Sequence, residues 1–161
     1  MSTRGEKGPR VEEKTGSEFL FGRYDYSLDP KKRITLPSPW RHALGNPSFV
    51  YVMPDGKSRC LNIIPAAEME ARLSKLRERA LFDPGLARAL HVIGANSEQL
   101  ALDVQGRIRI SDRLLQFANL SSKVAMVGAV RKIEIWNPAV LVPADAIDLE
   151  SHARALEEVG F

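Results

Sequence analysis

Two stretches of this chain follow one pattern: YSLDPKKRITL (residues 26–36) and LALDVQGRIRI (residues 100–110). At a constant offset of 74 residues, the two stretches are identical at four positions, Leu28/Leu102, Asp29/Asp103, Arg33/Arg107 and Ile34/Ile108. The similarity continues from VYV (residues 50–52) to VAM (residues 124–126). After a hairpin loop of different length it resumes from LNI (residues 61–63) to IEI (residues 133–135). We therefore interpret the chain as two copies of one structural unit.

The most informative part of each unit is a turn between two short strands. Apolar residues alternate with polar ones before the turn, which is typical of a half-buried strand. The segment DPKK (residues 29–32) fits a type I turn, with Asp29 first and Pro second. In the second unit Asp103 again comes first, and Gly106 occupies the fourth position, where glycine is favoured. Asp29, Asp103 and Gly106 are thus predicted to be structural turn residues, which makes a catalytic role for the carboxylates unnecessary.

Each unit continues with a short helix, a strand, a hairpin and a strand. The short helices are predicted at residues 40–44 and 114–118, the second with Ser111 as its N-cap. Asp55-Gly56 predicts the hairpin turn of the first unit. The aromatic residues Tyr24, Tyr26, Trp40 and Trp136 are interpreted as core or interface residues, and Cys60 as a buried thiol.

A helical insert separates the units. Residues 66–81 have apolar side chains at helical spacing, and Glu68 is placed to pair with Arg72. Asp83 is predicted to cap a second helix that ends at Gly94. The stretch from Asn137 onward is predicted to be largely helical and acidic.

Charge is distributed unevenly along the chain. The formal net charge is only +3, with a pI near 9.2. Residues 19–64 nevertheless carry seven bases against three acids, and residues 138–161 carry one base against five acids. A basic body with an acidic tail indicates a nucleic-acid partner. On charge alone, an ordinary mixed and solvated surface explains the pattern as well.

Several classes of protein are not indicated by this sequence. One cysteine excludes an internal disulfide, and three scattered histidines show no metal-ligand spacing. No apolar run approaches the roughly 20 residues of a transmembrane helix. Neither a phosphate-binding glycine loop nor a nucleophile–histidine arrangement is present. We expect a cytoplasmic protein that is not an enzyme, with no metal, cofactor, membrane or small-molecule substrate.

The repeated segments resemble the AbrB-like motif Asp-x-Lys-Gly-Arg-hydrophobic-x-hydrophobic-Pro. Two copies, a helical insert and the elements Val-Gly and Ile-Glu-Ile-Trp within residues 127–136 are together similar to the MraZ family of transcriptional regulators. The resemblance covers about residues 21–141. It implies a double swapped-hairpin β-barrel, a ring-like homo-oligomer and association with the nucleoid. It also implies binding to repeated short sites upstream of a bacterial division and cell-wall gene cluster, usually as a repressor.

The chain departs from that motif at three positions. Lys32 stands where the motif has glycine, so a left-handed backbone there would cost about 1 kcal/mol relative to glycine. In the second unit, Gln105 replaces the motif lysine and Ser111 replaces the final proline. The first unit is therefore the more basic of the two.

Together these observations predict a double-stranded DNA-binding surface. Arg33 and Arg107 would lead it, because a guanidinium can read guanine or clamp a phosphate. Further phosphate contacts are predicted for Lys31, Lys32, Arg23, Arg41 and Arg109. Without the repeat, Arg33 and Arg107 would be read as ordinary solvent-facing strand residues.

The predicted fold is α+β, mainly β with short helices: a tandem AbrB-like double swapped-hairpin barrel with a helical insert and a C-terminal helix. Its segments are a disordered tail (1–18), repeat 1 (22–67), the insert (68–96), repeat 2 (97–140) and an acidic C-terminal helix (141–161). An alternative function is an AbrB-type antitoxin or transition-state-like regulator that binds a protein partner.

Overall fold

The computed structural model describes residues 18–161 and shows the same order of elements in both repeats. Repeat 1 contains β1 (Arg23–Ser27), β2 (Arg33–Thr35), α1 (Ser38–Ala43), β3 (Phe49–Pro54) and β4 (Leu61–Ile64). The insert contains α2 (Ala66–Ala80) and α3 (Pro84–Asn96). Repeat 2 contains β5 (Glu98–Ala101), β6 (Arg107–Arg109), α4 (Asp112–Phe117), β7 (Lys123–Gly128) and β8 (Ile133–Trp136). A 3₁₀ turn (Pro138–Val140) and α5 (Leu149–Glu158) follow. The predicted α+β class is confirmed.

The strands of the two repeats pair with each other rather than only within a repeat. A six-stranded antiparallel sheet has the order β1-β7-β8-β4-β3-β5, and β2 pairs separately with β6. The first strand of each repeat thus pairs with the third strand of the other. Exchanging the repeats leaves both sheet orders unchanged, so the chain has a pseudo-twofold axis between β4 and β8. This is the exchange of hairpins that the family resemblance implies.

The core lies where the two repeats meet. Ile34 and Ile108 face each other across the β2–β6 ladder, and their side chains are 2% and 0% exposed. Trp40 is also buried, and its indole N–H donates to the Phe21 carbonyl at 2.7 Å while its ring meets the Tyr24 ring edge-on. Trp40 is therefore a core residue, as predicted. A unit of about 45 residues buries too little surface to be stable alone, and the exchange supplies the missing core.

The β3–β4 hairpin forms at the predicted Asp55-Gly56 turn. The Asp55 carboxylate accepts hydrogen bonds from the Asn62 side chain and from the Lys57 and Ser58 backbone N–H groups. These bonds lower the pKa of Asp55 to about 2. Cys60, beside this turn, is buried, and burial raises the pKa of its thiol to about 12. The prediction of a buried thiol is confirmed.

The helical insert matches the sequence in most respects. Glu68 and Arg72 form an ion pair at 3.1 Å, and the Asp83 side chain caps α3 by accepting from the Leu86 N–H. The predicted end of α3 at Gly94 is wrong, because the helix continues to Asn96. A helix interior tolerates a single glycine at a cost of about 1 kcal/mol, and nothing lies within 4 Å of where its Cβ would be.

Two further predictions need correction. Ser111 does occupy the N-cap position of α4, but its hydroxyl donates to Glu98 instead of capping the helix. The C-terminal stretch is helical only at Pro138–Val140 and Leu149–Glu158, with irregular chain between. The predicted disordered tail lies outside the described residues except for Glu18. Within residues 18–161, no helix is long and apolar enough to cross a membrane.

Candidate nucleic-acid interface

The β2–β6 ladder separates apolar from charged side chains. Ile34 and Ile108 point into the core, so the alternating neighbours point to the other face. On that face Arg33 lies opposite Arg109, and Thr35 lies opposite Arg107. Arg109 is exposed, while Arg33 and Arg107 are each 27% exposed. One narrow antiparallel ribbon therefore presents three arginines.

A turn of the same geometry precedes each strand of this ribbon; we call residues 29–33 turn 1 and residues 103–107 turn 2. In turn 1 the Lys32 N–H donates to the Asp29 carbonyl at 2.8 Å, and the Asp29 N–H donates to the Arg33 carbonyl at 3.0 Å. In turn 2 the corresponding distances are 2.9 Å from Gly106 to Asp103 and 3.0 Å from Asp103 to Arg107. Asp29 and Asp103 thus occupy the same position in two turns of the same geometry.

Each aspartate also holds the arginine of its own turn. Asp29 Oδ1 accepts from the backbone N–H groups of Lys31 and Arg33, while its Oδ2 accepts from Arg33 Nε at 2.7 Å. Asp103 repeats this arrangement, with Oδ2 accepting from Arg107 Nε at 2.7 Å. Because Nε is occupied, the four N–H donors on the two terminal nitrogens of each guanidinium are the ones that remain for other partners.

These contacts keep both carboxylates ionised. At Asp29, partial burial works against the charged form, but hydrogen bonds from Arg33 outweigh it and the pKa is lowered. At Asp103, hydrogen bonds from Arg107 lower the pKa. The turns also approach each other, since Arg107 Nη1 lies 4.0 Å from Asp29 Oδ2. The two aspartates and two arginines therefore form one cluster across the pseudo-twofold axis.

Lys32 adopts the left-handed backbone that its glycine-like position requires, with φ of 61°. Its ammonium group forms an ion pair with Asp112, at the start of α4 in the other repeat. That hydrogen bond and charge lower the pKa of Asp112, and Arg109 contributes to the same effect. Lys31, its neighbour, is exposed at the tip of turn 1.

Arg41 belongs to repeat 1 but lies against turn 2. Its Nε donates to the Leu36 carbonyl at 3.0 Å, which fixes the side chain across the ribbon. A Cβ atom on Gly106 would lie 2.6 Å from Arg41 Cζ. Gly106 has φ of 77° and is buried under this guanidinium. The structure thus brings Arg41 to the turns; we call turns 1 and 2, with Arg41 and Arg109, the paired-turn face.

Arg23 lies apart from the other predicted DNA-binding residues. It begins β1, six residues before Asp29, which is about 20 Å along an extended strand. Its guanidinium is bound by Asp25 at 2.8 and 3.0 Å and by the Val142 carbonyl at 2.7 Å. These contacts anchor the chain that follows repeat 2.

Sequence reasoning missed Asp112. It also missed that Asp29 and Asp103 form ion pairs with Arg33 and Arg107. The Asp–Arg spacing of four residues, repeated in both units, was the available signal for the aspartates, because such a spacing allows a local ion pair. No local signal pointed to Asp112, which lies 80 residues from Lys32 in the chain. Among residues 18–161, no three His, Cys, Asp or Glu side chains are grouped so as to hold a metal ion.

Comparison with known proteins finds relatives over most of this chain. The profile of the family described as "MraZ protein, putative antitoxin-like" matches residues 93–140. A protein of Saccharopolyspora erythraea is 31% identical over 141 residues, covering 88% of this chain and 96% of the relative. The chain belongs to the MraZ family. A Clostridium acetobutylicum relative is 26% identical over 89% of this chain and 100% of its own length. A Mesoplasma florum relative is 34% identical over 74% of this chain and 80% of its own length.

The names of these relatives bear on the function class. All three are named "Transcriptional regulator MraZ", and transcriptional regulators are not enzymes. The MraZ family profile covers repeat 2 and the end of the insert, while the relatives align over both repeats.

Proposed function

We propose that this MraZ family protein is a sequence-specific, double-stranded DNA-binding transcriptional regulator whose paired-turn face contacts the DNA. The observation that carries the proposal is the Asp–Arg pair of each turn, which presents Arg33 and Arg107 in matching orientations across the pseudo-twofold axis. The family membership and the names of the relatives support the regulatory role.

The shape of the face suits a DNA groove. The major groove admits a two-stranded β-ribbon, and β2 and β6 form such a ribbon with its arginines outward. An arginine whose Nε is already held by a carboxylate loses less side-chain entropy when it binds. Arg33 and Arg107 therefore would read bases, most naturally guanine through O6 and N7.

The remaining cations suit phosphate binding. Lys31, Arg41 and Arg109 surround the two arginines, and contacts of this kind position a protein on DNA without reading sequence. Lys32 lies beside them, with its ammonium group held by Asp112. Arg23 would contribute to DNA binding only indirectly, by anchoring the chain at Val142, because it lies at the far end of β1.

A homo-oligomer bound to several repeated DNA sites would gain affinity through multivalency, since one pair of turns covers little surface. Following the family resemblance, these sites lie upstream of a division and cell-wall gene cluster that the protein represses, which would place it on the nucleoid in the cytoplasm.

The proposal is tested by gel-shift binding to the DNA upstream of the protein's own gene, titrated with salt. Affinity should fall steeply with salt because bound phosphates release counterions. Arg33→Ala and Arg107→Ala should each weaken binding about 5- to 150-fold, the equivalent of about 1–3 kcal/mol per base-reading arginine. Arg88→Ala, which removes the same charge from exposed α3, should bind like the wild type. Unchanged binding by both turn variants, or equal affinity for scrambled DNA at every salt concentration, would contradict the proposal.

An antitoxin-type function is the second candidate, and the description of the family, "MraZ protein, putative antitoxin-like", favours it. In that case the chain purified from its native host should form a stable complex with a second, toxic protein. Isolation only as copies of this chain, together with specific DNA binding, would exclude it.

A further inference from the structure

A pocket lies where β4 of repeat 1, the β7–β8 hairpin of repeat 2 and the first turns of α2 meet. Its volume is about 380 Å³, within the range of small-molecule sites. None of its residues belongs to the paired-turn face. The lining residues are Asn62, Ile64, Glu68, Met69, Arg72, Ala129, Arg131 and Lys132.

One hydrogen-bond acceptor at this pocket has no donor. Asn62 is 7% exposed, and its Nδ2 donates to Asp55 Oδ1 at 2.9 Å. Because an ionised carboxylate only accepts hydrogen bonds, this contact determines which end of the amide faces Asp55. The other end, Asn62 Oδ1, is buried and has no hydrogen-bond partner within residues 18–161. Since an unpaired buried acceptor is costly, an N–H group of a ligand in the pocket would stabilise this atom.

Positive charge is in excess at the α2 side of the pocket. Glu68 Oε1 lies 3.1 Å from Arg72 Nη2 and accepts a hydrogen bond from Arg131 Nη2 at 2.5 Å. A single carboxylate oxygen thus serves two guanidinium groups, and each group keeps further N–H donors. These donors suit a carboxylate, which a guanidinium can bind through two parallel hydrogen bonds.

Negative charge is in excess at the β4–β8 side. The Lys132 ammonium group lies 3.5 Å from Asp55 Oδ1 and 3.3 Å from Glu134 Oε2, so two carboxylates share one cation. Asp55 stays ionised at neutral pH, because its pKa is about 2. Asn62 bonds Asp55 and lies opposite Glu134 in the strand pairing, so its amide lies close to both carboxylates. A donor to the Asn62 oxygen is therefore favoured if it carries a positive charge.

The β7–β8 hairpin that supplies Arg131 and Lys132 is held by its own hydrogen bonds. Val130 has φ of 68°, which a β-branched residue rarely adopts. Its backbone N–H and carbonyl are both bonded to Leu20 at 2.9 Å, and the Ala129 N–H donates to the Lys132 carbonyl at 2.9 Å. Such strained positions are common at ligand-binding sites. A loop that is already ordered loses less entropy when a ligand binds.

We propose that this pocket binds a small zwitterion, an amino acid with an aliphatic side chain. Its carboxylate accepts hydrogen bonds from Arg72 and Arg131, and its ammonium group donates to Asn62 Oδ1. Its side chain contacts the apolar part of the lining, Ile64 and Met69. Three cations and three carboxylates balance around the pocket but are unevenly placed, so a ligand with a single charge would match only one side. The inference does not rest on DNA binding.

Calorimetric titration of the full chain with L-leucine tests the charge requirement without any variant. Isocaproate is leucine without its amino group, and isoamylamine is leucine without its carboxylate. We expect leucine to bind with a Kd of about 1 mM or below, and each analogue to bind at least about tenfold more weakly, because each leaves one charged side of the pocket unmatched. No binding of leucine, or binding of isocaproate as tight as that of leucine, would overturn the proposal.

Two variants locate the binding site. Arg131→Gln should weaken leucine binding about tenfold and leave isoamylamine unaffected, since that analogue has no carboxylate. Asn62→Leu, which keeps the side-chain size but removes the acceptor, should weaken leucine binding about tenfold and leave isocaproate unaffected. Arg88→Gln is the matched control, because Arg88 is exposed on α3 outside this pocket, and it should bind leucine like the wild type.

Circular dichroism shows whether Asn62→Leu folds. If it does not, Arg131→Gln still decides, because the Arg131 side chain is 64% exposed and its loss leaves the core intact. Leucine binding that Arg131→Gln leaves unchanged, or that Arg88→Gln weakens equally, would place the ligand elsewhere and overturn the proposal.

Discussion

Turn 1 and turn 2 have the same backbone but different side chains around it. In both, an aspartate accepts two backbone N–H groups with one oxygen and the arginine Nε with the other. Both are bonded to the opposite repeat, through Lys32 O to the Ile110 N–H and Gly106 O to the Leu36 N–H. The arrangement is therefore set by the repeated residues.

The difference lies at the left-handed position. Turn 1 has Lys32 there, and its side chain reaches Asp112 on α4. Turn 2 has Gly106, and the space above it is filled by Arg41 from α1. The residue equivalent to Arg41 in repeat 2 is Leu115, which is buried, and the equivalent of Asp112 in repeat 1 is Ser38.

This difference shows that each turn acquires a cation beside its arginine by its own route. Turn 1 carries the cation itself and accepts a strained backbone, while turn 2 keeps glycine and receives a cation from the other repeat. In both cases the contact is with the helix of the opposite repeat. The exchange of hairpins therefore also determines which charges accompany each arginine.

The largest effect is expected from Ile34 and Ile108, the paired core residues that directly follow the two turns. Ile34→Ala and Ile108→Ala should each lower the free energy of unfolding by about 2–5 kcal/mol, because both side chains are buried against one another. Urea denaturation measures this loss. The double variant should lose less than the sum of the two, since the residues are in contact.

Thr35→Ala, on the opposite face of the same ribbon, is the control and should cost clearly less. If Ile34→Ala and Ile108→Ala differ strongly, the turns do not rest on one common core. Fully additive losses of stability in the double variant would likewise contradict a common core.

A smaller effect is expected at the left-handed position itself. Gly106→Ala should lower the free energy of unfolding by about 1–2 kcal/mol, because alanine is strained at φ of 77° and its Cβ displaces Arg41. Gly45→Ala is the matched control, since Gly45 has φ of 85° with nothing within 4 Å of the added Cβ. The control should lose stability but leave DNA affinity unchanged, whereas Gly106→Ala should weaken both.

The opposite substitution, which places glycine at the left-handed position of turn 1, should not lower the free energy of unfolding. Lys32→Gly relieves the strained backbone but removes the ion pair with Asp112, which contributes little to stability because both side chains are exposed. We therefore expect its free energy of unfolding to equal or exceed that of the wild type. A loss as large as that of Gly106→Ala would show that the two positions are equivalent after all.

Local sequence pattern predicted the turns but not their partners. The alternation around Ile34 defined which face of the strand is buried, yet alternation does not specify which strand lies alongside. For that reason, the exchange of hairpins between the repeats was predicted only from the family resemblance. The Lys32–Asp112 pair and the Arg41–Gly106 contact both join residues distant in the chain, so they depend on that exchange and left no local signal.

The errors at Gly94 and Ser111 have a similar cause. A glycine ends a helix only when the following chain turns away, and here α3 continues to Asn96. Serine is a good N-cap because its hydroxyl can accept from the helix, but the Glu98 carboxylate lies 2.8 Å from the Ser111 hydroxyl. Donation to this charged acceptor orients the Ser111 side chain toward β5, and in that orientation its oxygen accepts no N–H group of α4.

The smallest effect should come from releasing Lys32. Its bond lowers the pKa of Asp112, so this carboxylate is charged at neutral pH and keeps the ammonium group occupied. Asp112→Asn should free Lys32 for a phosphate, which raises DNA affinity a few-fold and steepens the slope of log affinity against log salt by about 0.9. Asp83→Asn is the control: it also removes one negative charge, and asparagine can replace Asp83 as the N-cap of α3. This variant should change neither the DNA affinity nor its salt dependence. Combining Asp112→Asn with Lys32→Gly should abolish the gain; if the gain persists, Asp112 repels DNA directly and does not act through Lys32.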